Sequence, residues 1–93
     1  MIVGTLRLEL HVAESRSLKA KRRVVKSLKD RIRTRFNASV AEIDALDLWQ
    51  RAVLGVAVVS NDRRHLNEIL SKIERLAGSD PRAALISSEL RIP

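Results

Sequence analysis

The 93-residue chain has no cysteine, no tyrosine, two prolines, three glycines and only two aromatic residues, Phe36 and Trp49. Each scarcity removes a class of function. Without cysteine there is no disulfide framework, thiolate nucleophile, iron–sulfur cluster or Cys-type zinc site. Two histidines 54 positions apart cannot by themselves complete a metal shell. Gly4, Gly55 and Gly78 stand alone, so the sequence offers no phosphate-cradling loop of the P-loop or Rossmann kind. The longest apolar run, Ala52 to Val59, is eight residues, far short of a membrane span, and no basic segment followed by an apolar one opens the sequence. A cytoplasmic protein with no membrane association is therefore expected. At this length roughly 65% of the extended chain's surface can be buried, enough for one modest core, so residues 1–93 are expected to form a single domain.

What the chain has in excess is positive charge, +7 overall, and it is concentrated. Residues 16–35 carry ten cations (Arg16, Lys19, Lys21, Arg22, Arg23, Lys26, Lys29, Arg31, Arg33 and Arg35) against the single acid Asp30, while the remaining residues sum to −2. The protein reads as a nearly neutral body bearing one basic element.

Hydrophobic periodicity gives the order of elements. Ile2, Leu6, Leu8, Leu10 and Val12 alternate with Val3, Thr5, Arg7, Glu9 and His11, the period-two signature of a half-buried strand. Ser17 then suits a helix cap, and Leu18, Val25, Leu28, Ile32 and Phe36 form a helical apolar stripe ending near Asn37. Ala38 to Ile43 is a weaker strand. Arg51 to Val59 is apolar on both faces and so belongs in the middle of a sheet. Ser60, Asn61 or Asp62 can cap a second helix built on Leu66, Ile69, Leu70, Ile73 and Leu76, which Gly78 and Pro81 stop. A last strand, Ala84 to Ile92, sets Ile86, Leu90 and Ile92 against Leu85, Glu89 and Arg91. The order βαββαβ predicts an α+β, ferredoxin-like sandwich: a four-stranded antiparallel sheet with two helices on one face. The other face would carry Val3, Val53, Ala57 and Val59 beside Thr5, Arg7 and Glu9, a mixture that favours a homodimer formed by sheet stacking.

On the first helix, 100° per residue places Lys19, Arg22, Arg23, Lys26, Lys29 and Arg33 within one outward arc of about 120°. The i,i+4 pairs 19–23, 22–26 and 29–33 are like-charged, each costing about 0.2–0.5 kcal/mol. Such a face suits phosphate, since guanidinium and ammonium groups accumulate positive potential and arginine grips phosphate through paired donors. Structured RNA or a ribosomal surface is the leading partner. An acidic protein surface contacted by a homodimeric adaptor is the alternative, and a merely solvated helix with Lys21 and Arg35 snorkelling beside the apolar stripe is the third reading. Because the expected sheet carries no aromatics, stacking of bases on it is disfavoured, which leaves backbone contact through the helix.

Other residues carry weaker signals. Asn61, Arg63 and Arg64, at the start of the second helix, could make a secondary phosphate contact through free amides and side chains. Trp49 either folds over the edge of the core or anchors a partner contact. His11, near Glu9, and His65, near a cap, read as structural or solvated. Glu42, Asp44 and Asp47 lack ligand spacing for a metal, and nothing implies a cofactor or places a catalytic pair, so no enzyme is expected.

The stretches Met1–His11, Ser17–Val25, Arg35–Glu42, Asp47–Gly55 and Val59–Asp62 together resemble the small bacterial YlxP-like family, the DUF503 domain family, over nearly the whole chain. The basic run Ser17 to Arg23, His11 and Ser60-Asn61-Asp62 match that family's pattern, whereas Ala20 and Ala38 stand where Glu and Val are usual. The resemblance implies a ferredoxin-like fold and brings no activity with it. Family genes often neighbour those of translation initiation factor two and ribosome-binding factor A, which implies a translation-linked role.

Overall fold

The alternation at the start of the chain becomes β1 (Ile2–His11) in the computed structural model, which describes residues 1–93. Its even-numbered residues Gly4, Leu6, Leu8 and Leu10 point inward and are buried. The chain continues through α1 (Leu18–Arg35), β2 (Ser39–Asp44), β3 (Arg51–Ser60), α2 (Arg63–Gly78) and β4 (Ala84–Arg91). The strands lie in the order β2-β3-β1-β4 with every neighbour antiparallel, and the apolar β1 and β3 occupy the centre. Both helices cover one face, α1 over the β2 side and α2 over β1, β3 and β4. This is the ferredoxin-like α+β arrangement.

The core is the layer between sheet and helices. Leu6, Leu8, Leu10, Leu54, Val56 and Val58 from the sheet meet Val25, Leu28 and Ile32 of α1 and Leu66, Leu70 and Ile73 of α2. Full burial of one such side chain stabilises by about 1.5–3 kcal/mol, so the two helical stripes fix the layer. Gly4 sets how closely α2 approaches: a Cβ there would stand 2.7 Å from Leu70 Cδ1 and 2.9 Å from Leu66 Cδ2. Both helix starts are capped as their sequences suggest. Ser17 Oγ accepts from the Ala20 amide at 3.0 Å, and Asp62 Oδ1 accepts from Arg64 and His65 at 2.9 and 3.2 Å.

Four side chains depart from the simple periodic reading. In β4 the pairing with β1 skips a residue opposite Glu9 and Leu10, and the bulge reverses the phase of the strand. Leu85 therefore packs on the core, and Ile86, expected beside Leu90, is 60% exposed. Val53 lies on the outer face of the sheet yet is fully buried, whereas Val3 and Val59 on that face remain open. Finally, Lys21 does not snorkel; it is among the fully buried side chains. No helix is long and apolar enough to cross a membrane.

Candidate nucleic-acid interface

The outward arc of α1 is present as the wheel predicts, but its six cations are not equivalent. Lys19, Arg22, Arg23, Lys26 and Arg33 are exposed and Lys29 is half-buried. Lys26 donates to Asp30 at 2.7 Å one turn later, and that hydrogen bond holds the Asp30 carboxyl below its ordinary range. Arg33 donates to the Val40 carbonyl at 2.6 Å, tying the end of α1 to β2. Lys19, Arg22, Arg23 and Lys29 have no hydrogen-bonding or ionic partner within the chain. Three of these four, Lys19, Arg22 and Arg23, lie in the first two turns, towards the end where the helix macrodipole is itself positive and the first turn holds no acid, and Lys29 stands further along. This arrangement is unfavourable for an isolated helix and favourable for one that meets an anion.

Lys21 lies between these free cations in sequence and does the opposite. Its position falls in the apolar stripe, so its stem runs into the interior, and its ammonium donates to Glu42 Oε2 at 2.9 Å. It also donates to the carbonyls of Ala45, Leu46 and Arg51 at 2.8, 3.1 and 3.2 Å. Glu42 is available because β2 alternates Val40 inward, Ala41 outward and Glu42 inward. The ammonium thereby holds the β2–β3 connection in place, including Ala45, which has φ 58° without being glycine. The sequence carried the signal for this pair: a lysine inside an apolar stripe and an acid on the inward parity of a strand. Taken singly, the two residues suggest the surface for Lys21 and a loose acidic group for Glu42, and the fold brings them together. Asp44 caps the Ala45 amide at 2.7 Å, so Glu42 and Asp44 serve different partners.

A second buried acid joins the helices. The Asp80 side chain, almost fully buried, accepts from Arg82 Nη2 at 2.8 Å, from Arg82 Nε at 3.1 Å and from the Arg82 amide at 2.9 Å, while Arg31 of α1 stands 3.4 Å away. These guanidinium contacts, Arg82 first, hold the Asp80 carboxyl below its ordinary range against the opposing effect of burial. Arg31 and Arg82 are thus internal fasteners, with Arg82 also reaching Ser27 Oγ at 2.9 Å. The outer groove of α1 between Arg23 and Arg35, about 500 Å³, is lined by Lys26, Ser27, Asp30, Arg31 and Thr34 without a single apolar side chain.

The start of α2 is less open than its sequence suggests. The amides of Arg64 and His65 already donate to Asp62, and Arg63 donates to the Ile92 carbonyl at 3.1 Å, so Asn61 and Arg64 are left as the exposed groups without a side-chain partner. Trp49 does not fold over the core: it is 54% exposed and lines a shallow hollow with His11, Leu48, Gln50 and Arg51 at one end of the sheet. Glu9, the neighbour considered for His11, is engaged by Arg51 and Arg7 instead, and Arg51's hydrogen bond draws its carboxyl below the ordinary range.

A family model described as a protein of unknown function, DUF503, matches residues 3–90. The uncharacterized protein YlxP of Bacillus subtilis (strain 168) is 34% identical over 80 residues, covering 86% of this chain and 87% of the relative. Among solved structures, the solution structure of a de novo designed protein with a ferredoxin fold is similar at a TM-score of 0.58. It shares 17% identity, over 98% of this chain and 86% of the designed one, a likeness of fold alone.

Proposed function

The chain belongs to the DUF503 family, and from that premise we propose that it is a non-catalytic cytoplasmic protein that contacts structured RNA or a ribonucleoprotein, such as the ribosome, through α1. The observation that carries this reading is the group of unpaired cations Lys19, Arg22 and Arg23 in the first two turns of a helix that has no acid in its first turn, with unpaired Lys29 further along the same face. Cations placed against the macrodipole oppose the helix until an anion arrives. Lys19 and the pair Arg22 and Arg23 stand about one 5.4 Å turn apart and Lys29 about two turns further on, a spacing that can follow a phosphate backbone.

A polyanion is favoured over an acidic protein because the exposed arc presents no aromatic anchor, so that a protein partner would be held by the arginines and lysines alone. Contact of this kind is shape-selective, weakly sequence-specific and strongly salt-dependent. Self-association through the outer face of the sheet belongs to the same reading, since that face is remote from α1 and leaves the basic helix free.

The test is binding of a labelled RNA hairpin by the wild type and by K19E/R22E/R23E across a salt series, with an acidic polypeptide as competitor. Wild-type affinity should fall with a log–log slope near −0.7 to −0.9 per phosphate neutralised. The triple reversal should lose binding about a hundredfold or more and flatten the slope by about two to three units. Equal affinity in the variant refutes the assignment, and preferential displacement by the polypeptide transfers it to an acidic protein partner.

A further inference from the structure

The outer face of the sheet holds a pattern that its composition does not reveal. Odd-numbered residues of β1 and β3 form cross-strand rows: Val3 with Val59, Thr5 with Ala57, Arg7 with Gly55, Glu9 with Val53 and His11 with Arg51. Trp49 continues this parity beyond Arg51, beside His11. The face is apolar at both ends, with Trp49 at one and Val59, 59% exposed, beside Val3 at the other. Between them the rows change from large to small, and a hollow of about 460 Å³ lies over Thr5, Ala57 and Gly55.

We propose that a second copy of the chain covers this face about a two-fold axis that lies in the interface, perpendicular to the strands, between the Arg7–Gly55 and Glu9–Val53 rows. The inference rests on the sheet-face self-association proposed above and specifies its register. This axis matches large to small in the outer rows and opposite charges in the central ones. Trp49 of each copy lies over the partner's Val59 and Val3, and His11 and Arg51 lie over the partner's Thr5 and Ala57, while Val53 and Gly55, already covered within their own chain, form the floor at the axis.

The axis also sets Arg7 opposite the partner's Glu9, twice by symmetry. The face tolerates its own copy because its charges are balanced within the chain: Glu9 is paired with Arg51 and Arg7, and Glu89 with Arg91. Stacked sheets cross at about 30°, which displaces the ends of the face sideways by less than two strand spacings. The apolar end spans two adjacent strands, Val3 and Val59, and so still meets the indole.

The area is sufficient. Two strands of ten residues flanked by strands of six and eight cover roughly 540 Å² per copy and about 1,080 Å² for the pair, just above the roughly 1,000 Å² a specific interface needs. Trp49, Leu46 and Leu48 on the β2–β3 connection, all exposed, extend it.

Trp49, the single tryptophan, reports the contact directly. Sedimentation equilibrium and acrylamide quenching of Trp49 would be measured on the wild type and on V59K. Residue 59 is about 33 Å from residue 49 in the same chain, and its exposed side chain is replaceable without disturbing the core. Expected are a wild-type mass of twice 10.5 kDa at about 200 µM, a dimer Kd at least about tenfold higher for V59K, and Trp49 quenching in concentrated V59K as strong as in dilute wild type. Unchanged circular dichroism confirms that V59K folds. A monomeric wild type overturns both this register and sheet-face self-association. A dimer whose mass and Trp49 quenching ignore V59K overturns the register alone.

Discussion

Replacing Lys21 by methionine should destabilise the protein far more than the same change at its exposed neighbours Lys19 or Arg22. The ammonium of Lys21 is fully buried and donates to Glu42 and to three carbonyls of the β2–β3 connection and β3. Methionine fills the space of the stem but leaves a carboxylate and three carbonyls without their donor. Removing one member of a buried pair costs about 3–5 kcal/mol. The lower figure applies here, because the Glu42 side chain retains 12% exposure and the carbonyls of the exposed connection can recover water.

A chain of 93 residues has a total stability of roughly 5–14 kcal/mol, so a loss of about 3 kcal/mol removes a large share of it and lowers Tm by about 12 °C or more. K19M and R22M should stay within about 0.5 kcal/mol of wild type, and E42Q, which keeps an acceptor oxygen but leaves the fully buried ammonium without its counter-charge, should also cost about 3 kcal/mol. Urea unfolding followed by circular dichroism gives the stabilities, while Trp49 emission shows whether the connection loosens before the core. A K21M variant within about 1 kcal/mol of wild type would refute the idea that this ammonium fastens the hairpin.

Two further outcomes test the packing and the second buried acid. Asp80, with its carboxyl held low by Arg82 and Arg31, stabilises the fold fully above the unfolded value near 3.9, and that stability is lost as pH falls through the lower folded value. The urea midpoint of D80N should therefore decline less steeply than that of wild type below about pH 4, and parallel declines would remove Asp80 as a source of acid sensitivity. G4A should cost about 1–3 kcal/mol, since its Cβ would meet Leu70 and Leu66 at 2.7 and 2.9 Å. A neutral G4A in thermal unfolding would show that α2 yields more readily than the packing implies.

The order of elements, the central places of β1 and β3, both helix caps and the basic arc of α1 are legible in the sequence because each depends on local periodicity or a single capping side chain. What escaped it depends on pairing between distant segments. The bulge that turns Ile86 outward is a property of how β4 registers on β1, and no pattern within β4 encodes it. Burial of Lys21 requires Glu42 to be delivered twenty-one residues later on the inward side of an edge strand. Likewise, Lys26 and Arg33 look as available as Arg22 on a helical wheel, and only the fold shows that Asp30 and the Val40 carbonyl already hold them.

The register of the two central strands bears on how fast the molecule assembles. Ile2 pairs with Ser60 and His11 with Arg51, so the middle of the sheet closes only after α1, β2 and their connections have been drawn into a loop of at least forty residues. Loop-closure entropy is met before most of the core contacts repay it. β1 therefore has neither of its neighbours during the early synthesis of the chain, while α1, with its strong local hydrogen bonding, can form and fray many times. The meeting of β1 and β3 must bridge that loop, and the length of α1 enters its entropy only through a logarithm.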